Sequence, residues 1–419
     1  TTSTIFAEDF VVDSIGFNDK NYINVNAHEL AHQWFGDLIT AQSGKHHWLQ
    51  EGFATYYALL AEKEVFGDDY FYNELYDYAL QLRSAAKTDT IPVMNEKASS
   101  LSFYKKGAWA LHTLREDIGA KNFQKIVKKY LKKHQYKNVI TDEFLAEVKK
   151  VVKTFDAENF KKTWLETSGF DMVLAESYLV KNKSVAAYIQ LTKEKKDLEN
   201  YKAILESETY FPIKQYIFYK LANTPFEDKK ELIEIGMKQN LYVRQAIAET
   251  VTKIPVEFKS QYETFLDDAS YNTKEIALIN LCKNFPEDKK NYLMKTKNII
   301  GNNDKSFRIS WLSLDFLSDD DGYEKYLILQ ELLDFSSERY ESSIRQNALE
   351  VLLKLAPDDY FVIASLFRAT THHKWQFTKF SRDKIREKLK NPEFRSRVEE
   401  LAKTTDEKTA ALYLKFLKE

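Results

Sequence analysis

Two histidines one helical turn apart, His28 and His32 in HELAHQWFGD, and a glutamate nineteen positions later, Glu51 in WLQEGFA, restrict this chain more than any other feature. On a helix, positions i and i+4 differ by about 40° of rotation, so both imidazoles leave the same face. Neutral imidazoles converging in this way form half of a zinc site, and a third donor has to come from another element. Glu51 heads a new apolar-periodic segment, GFATYYALLAEKEVF, and is the candidate. A fold that satisfies all three residues has to bring the second segment against the first. Three protein donors leave one position open, the arrangement of a catalytic rather than a structural zinc centre. Zinc so held binds a water and brings its pKa toward neutrality. Glu29 is offset around the helix from both histidines, so it is poorly placed to ligate the same ion. It can reach the water, take its proton as general base and hand that proton to a leaving amine.

HELAHQWFGD followed by WLQEGFA resembles the zinc aminopeptidases of the membrane alanyl aminopeptidase type, a gluzincin group that includes leukotriene A4 hydrolase. The family pattern, H-E-x-x-H, eighteen intervening residues, then E, stands here in full. A further family motif, Y-x-K-G, is matched by Tyr104-Lys105-Lys106-Gly107. The resemblance implies one zinc ion per chain on His28, His32 and Glu51, with Glu29 as catalytic base. It also implies that Tyr104 is catalytic and donates its phenol to the developing oxyanion, and that peptide substrates lose amino-terminal residues. On the residues alone, Tyr104 is one of 25 tyrosines and core packing is its default reading. One family element is absent: no G-x-M-E-N sequence, the loop that binds the substrate amine, occurs here. The chain begins TTSTIFAEDF, about where residues following that loop would stand. It is therefore expected to be the carboxy-terminal part of a longer enzyme, partnered by a missing amino-terminal β domain and weakly active or inactive alone.

Neighbouring residues carry competing readings. Lys105 and Lys106 read as a solvated helix face. His46 and His47 precede Glu51 closely, but adjacent residues point apart, so at most one faces a given ion, and a rim or surface place is expected for both. Each ligand histidine needs an acceptor for its second N–H, and Asp37 is the nearest in sequence.

Only 11 glycines and 7 prolines in 419 residues, with 30% charged side chains, indicate a mainly α protein of two or more domains. A formal net charge of −2 gives no basic footprint for nucleic acid. No apolar run approaches the roughly 18 residues that cross a bilayer, so a soluble protein, cytoplasmic or periplasmic, is expected. The single cysteine, Cys282, rules out an internal disulfide. TIFAEDFVV, within residues 1–13, reads as an edge strand of a sheet. From Asn24 to about Phe170 the pattern is helical, as the resemblance implies for the helical lobe of a thermolysin-like (gluzincin) catalytic domain, taken as residues 1–170.

Beyond a connector at 171–205, a repeat fills residues 206–419. Pro225, Pro255 and Pro286 lie 30 and 31 residues apart, and Pro357 follows after 71, about two periods. Eight residues before these prolines stand Ile217, Ile247, Leu278 and Leu349, and four before stand Leu221, Val251, Cys282 and Leu353. Apolar residues at i and i+4 in fixed phase form a buried stripe, and the prolines stop each helix. Leu312 and Phe316 take the same places in a unit without proline, with SDDDG as its turn. Units of 30–37 residues predict a HEAT- or armadillo-like α-solenoid, with Cys282 as a small core residue. Lys374, Lys379 and Arg382 in KWQFTKFSRDK offer two readings, a cavity face attracting substrate carboxylate or a solvated helix face, and the second is expected. Two functions outside the aminopeptidase reading are a peptide- or protein-binding solenoid with a vestigial metal site, and a gluzincin that hydrolyses an epoxide or cleaves internally.

Overall fold

The computed structural model describes every residue except 1, 2, 195, 196 and 319–321. The chain is mainly α, as the scarcity of glycine and proline predicts, and it divides into two compact units. One comprises Thr1–Phe6 with Asn21–Lys220, the other Ala7–Lys20 with Leu221–Glu419.

The first unit is built around its second helix. Helix α1 spans Ile23–Ala31, α2 Trp48–Phe66 and α3 Asp68–Ala85. A π-helical turn, Ser102–Lys106, runs into α4, Gly107–Ile118, and α5 (Ala120–His134) and α6 (Thr141–Val151) follow. Helix α2 is apolar on nearly every side, with Trp48, Phe53, Tyr56 and Leu59 all fully buried. A helix of that kind has to be covered all round, and α1, α3, α4 and the π turn pack directly against it. Gly67, at φ +88°, ends α2 and turns the chain into α3. Two short parallel strands, β1 (Ile39–Ala41) and β2 (Lys137–Val139), pair Ile39 with Lys137 and tie the loop after α1 to the loop after α5.

This unit continues past the expected boundary at residue 170. The segment expected as a connector forms α7 (Met172–Leu179), α8 (Lys183–Lys193) and α9 (Leu198–Glu206), and α10 (Phe211–Lys220) completes the unit. Asp171, Asn182 and Asp197 fix where α7, α8 and α9 begin, each accepting from the backbone N–H three residues on.

The second unit contains α11 (Phe226–Gly236), α12 (Leu241–Thr250), α13 (Tyr271–Asn284), α14 (Lys289–Thr296), α15 (Ser306–Phe316) and α16 (Gly322–Phe335). Then come α17 (Ser342–Leu355), α18 (Tyr360–Ala369), α19 (Trp375–Lys388), α20 (Pro392–Thr404) and α21 (Glu407–Leu417). Helices α12, α13, α15, α17 and α19 pack each on the next in one row, while α14, α16 and α18 return the chain between them. That alternation is how stacked helical pairs build a continuous core. Ile247, Leu278, Leu312 and Leu349 lie in the core of the row, as their phase predicts, with Val251, Cys282 and Leu353 buried beside them and Phe316 half-buried. Burial pushes the Cys282 thiol up to about 11, which suits a packed side chain and not a nucleophile. Part of the SDDDG turn lies outside the described residues.

Three expectations need correction. The prolines open the following helix as much as they close the preceding one: Pro225 is the N-cap of α11, Pro255 that of the 3-10 turn Val256–Phe258, and Pro286 the first residue of another such turn. Those positions donate no intrahelical N–H, so proline is tolerated there. TIFAEDFVV forms no strand. Its Glu8–Phe10 make a 3-10 turn, and Ile5 and Val11 stay exposed. Residues 7–20 instead belong to the second unit, where Asp19 accepts from Ser270 Oγ at 2.5 Å and from the Tyr271 amide at 2.7 Å. Lys106, expected on a solvated face, is 2% exposed and donates to the carbonyls of Thr167 and Gly169. Burial brings its pKa down to about 8. Lys105 is half-buried and donates to Gln81. Lys374 and Lys379, by contrast, pair with Glu341 and Asp383 in surface ion pairs. No helix among the described residues is long and apolar enough to cross a membrane.

Candidate metal centre

The three residues singled out by spacing come together. His28 and His32 leave one face of α1, and Glu51 stands in the first turn of α2, the helix α1 packs against. His28 Nε2 lies 3.1 Å from His32 Nε2 and 3.2 Å from Glu51 Oε2, and His32 Nε2 lies 3.3 Å from the same oxygen. Among the described residues these are the group of three whose donor atoms all fall within 4.8 Å of one another.

The donor set fits zinc on two counts. Donors at roughly 2.0–2.1 Å from a tetrahedral ion stand about 3.3 Å from one another, close to the three separations above. The His32 ring is also held in the tautomer that ligation needs. His32 Nδ1 donates to the Phe35 carbonyl at 2.9 Å, and a carbonyl only accepts, so the ring proton sits there and Nε2 keeps its lone pair. His28 Nδ1 faces the Thr55 hydroxyl at 3.4 Å. Neither partner is Asp37, the acceptor nearest in sequence.

Glu51 is buried, yet its carboxyl is held well below the usual range. Burial pushes it up, but its polar contacts with the His28 and His32 rings and with the Tyr104 hydroxyl together outweigh that. His32 moves the other way: burial lowers it, while Glu51 and the Phe35 carbonyl raise it further. Oε1 of Glu51 faces His47 Nε2 at 3.3 Å, which leaves Oε2 to His28 and His32. His46 turns instead to Thr141, whose hydroxyl lies 3.0 Å from Nδ1.

Tyr104 stacks on the His28 ring, centroids 5.3 Å apart and planes 5° from parallel. It comes from the π turn, an irregularity that recurs at functional sites. Two glycines allow that proximity. A Cβ on Gly52, the residue after Glu51, would lie 2.9 Å from the Cα of Gly107, the last residue of Y-x-K-G, and the converse is equally close. Helices α2 and α4 therefore touch backbone to backbone beside the site. Burial, then the charge of Glu51 and the hydrogen bond to it, then the charge of Glu29, raise the Tyr104 phenol above its ordinary value and keep it a donor. Glu29 is half-buried, and its charge is felt at both His32 and Tyr104.

Sequence reasoning missed His47, Thr55 and the Phe35 carbonyl as supports. His47, the N-cap of α2, and Thr55 within it stand four residues before and after Glu51, so helical periodicity could have found them. Nothing in the residue pattern marks a main-chain carbonyl.

Residues 2–164 match the Peptidase family M1 domain. Among curated proteins, Aminopeptidase M1-D of Oryza sativa subsp. japonica is 36% identical over 156 residues, 35% of this chain and 18% of that protein. Endoplasmic reticulum aminopeptidase 2 of Homo sapiens is 36% identical over 136 residues, 30% of this chain and 14% of its own length. A solved structure, the M1 zinc metallopeptidase from Deinococcus radiodurans, is 33% identical, with a TM-score of 0.32 over 35% of this chain and 33% of that one. The matched stretches thus span less than a fifth of the two curated relatives.

Proposed function

We propose, from the premise that this chain belongs to the M1 gluzincin aminopeptidase family through residues 2–164, that it is the metal-bearing part of an enzyme removing amino-terminal residues from peptides. Zinc is the cofactor of this family, and we assign one ion per chain to His28, His32 and Glu51. When bound there, it would polarise a scissile carbonyl and acidify a water. The chain's own residues would do the rest. Glu29 would take the proton of the attacking water and return it to the leaving amine. The phenol of Tyr104 would donate a hydrogen bond to the oxyanion. His47, Thr55 and the Phe35 carbonyl would hold the three donors in orientation.

The observation supporting this reading most strongly is the mutual 3.1–3.3 Å spacing of three lone-pair donors with Glu29 and Tyr104 beside them. A binding solenoid with a decayed metal site would be free to lose any of these five groups. The 419-residue chain alone carries no G-x-M-E-N sequence, and for it we propose zinc binding with weak turnover.

Glu29→Gln, with zinc content and aminoacyl chromogenic turnover read in parallel, tests the assignment in the protein that carries this chain. Zinc is expected to stay near one per chain while turnover falls by about 10²–10⁴-fold. Equal turnover in variant and parent refutes Glu29 as the base.

A further inference from the structure

The second unit contains a cavity of about 400 Å³ between α16, α17 and α18, with Ser336, Ser337, Glu338, Arg345, Ser365 and Arg368 in its lining. Arg345, on α17, is 4% exposed, and its Nε has no hydrogen-bond partner. The buried Ser337 hydroxyl has none either. The guanidinium lies over the Phe377 ring, 5.1 Å from its centroid. That contact occupies one face of the plane, whereas the N–H bonds of guanidinium lie in the plane and still require acceptors.

The carboxylates nearby do not meet this need. Asp334, which also lines the cavity, pairs with Arg339 and accepts from the Tyr340 hydroxyl. Glu338 is exposed and acts on Arg345 only through its charge. Arg368, exposed at the mouth, brings a second guanidinium to the same space. Burial accordingly lowers the Arg345 pKa, and the like charge of Arg368 adds to this. A buried cation without an acceptor is unfavourable, and a planar fork of N–H donors matches an oxyanion edge on.

We propose that this cavity binds an oxyanion, a carboxylate or phosphoryl group, held by Arg345 from within and Arg368 at the mouth, with Ser337 donating a hydrogen bond. The volume admits a small molecule or a chain terminus that carries such a group. An apolar occupant would leave the guanidinium unpaired and is excluded. All of these residues lie in the second unit and the proposed zinc donors in the first, so the site stands or falls independently of the peptidase reading.

The test is thermal unfolding of the metal-free chain, which prevents anions from reading out at a bound zinc. Inorganic phosphate is titrated against chloride at matched ionic strength. An N-acetyl dipeptide with a free carboxylate is titrated against its amide. A saturable rise in Tm is expected with phosphate, with the free carboxylate or with both, and the pattern identifies the source of the oxyanion. Arg345→Met should abolish the rise while leaving the anion-free protein at least as stable, because it removes an unpartnered buried charge. Arg368→Gln and Ser337→Ala should fold normally and weaken anion binding, the former by at least about tenfold. They carry the test alone if Arg345→Met does not fold. No saturable response to either oxyanion, or a parent-like response in Arg368→Gln, overturns the proposal.

Discussion

Helix α2 and the row α12, α13, α15, α17 both work by burial, but they treat buried polarity in opposite ways. On α2, the buried Glu51, Thr55 and Glu62 sit among Trp48, Phe53 and Tyr56, and each is answered. Glu51 meets His28, His32 and His47, Thr55 meets His28, and Glu62 accepts from Asn24 at 2.6 Å and Tyr70 at 2.8 Å. Along the row the stripe is apolar, and where polar atoms are buried nearby several lack partners, among them Thr273 Oγ1, Asn302 Oδ1 and Arg345 Nε. A polar group satisfied on every side is held in one orientation, which catalytic donors require. A stacked row requires only volume and phase, so polar atoms can be buried in it without a protein partner.

The contrast makes different demands on single substitutions, and the largest effect is expected in the row. Leu278 is fully buried in α13, so Leu278→Ala should remove about 2–5 kcal/mol of unfolding free energy through lost transfer energy and the cavity left behind. Zinc content, measured on the same preparation, should not change, because α13 supplies nothing to the donor set. A loss of zinc in that variant would show that the two kinds of burial are not separable.

Gly107→Ala should have the reverse profile. The added Cβ would meet the Gly52 Cα at 2.9 Å, and backbone cannot move aside as a flexible side chain can. Overpacking of this kind costs about 1–3 kcal/mol, less than the Leu278 cavity. The functional loss should be larger, because moving α4 off α2 carries Tyr104 away from Glu51. A displacement of about 1 Å can lower turnover on the order of 10²-fold. The three proposed zinc donors lie on α1, at its C-cap and on α2, so zinc should be retained. Turnover at parent level in a folded Gly107→Ala would remove the backbone contact from the account of the site.

The same contrast decides what could be read in the residues beforehand. His28 and His32 were legible because i, i+4 spacing has one geometric consequence, whereas Glu51 was legible only from the family pattern and its place at the head of the next apolar segment. Ile247, Leu278 and Leu349 were legible because proline marks a fixed phase. Lys106 was not, since its charge suggests water whereas two carbonyls of the 167–169 segment accept from it, and no local pattern announces partners sixty residues away. TIFAEDFVV was misread because its alternation suits a strand only if a sheet is there to pair with. The second unit instead supplies the Ser270 hydroxyl and Tyr271 amide as donors to Asp19, a little farther along the chain. Local pattern predicts which face is buried, and long-range partners decide the rest.

Glu74 supplies the finest test of whether the carboxyls around α2 are all answered, in a unit where His112 Nε2 and the Tyr130 hydroxyl are not. It lies on α3, and burial, followed by the charges of Glu62 and Asp77, raises its carboxyl from 4.5 to about 7, with only the charge of Lys105 opposing. Between pH 4.5 and 7 the folded chain therefore holds more protons here than the unfolded chain does. The associated stability is fully present below pH 4.5 and is lost as pH rises through 7. Glu74→Gln keeps the shape without the charge, so its Tm should fall less across that window than the parent's. After allowance for partial exposure, the gain at pH 8 should be on the order of 1 kcal/mol, the smallest effect in the series. Parallel Tm profiles for parent and variant from pH 4 to 8 would mean that Glu74 is ionised and answered like Glu51. Every carboxyl around α2 would then obey the same rule, and its contrast with the row would be complete.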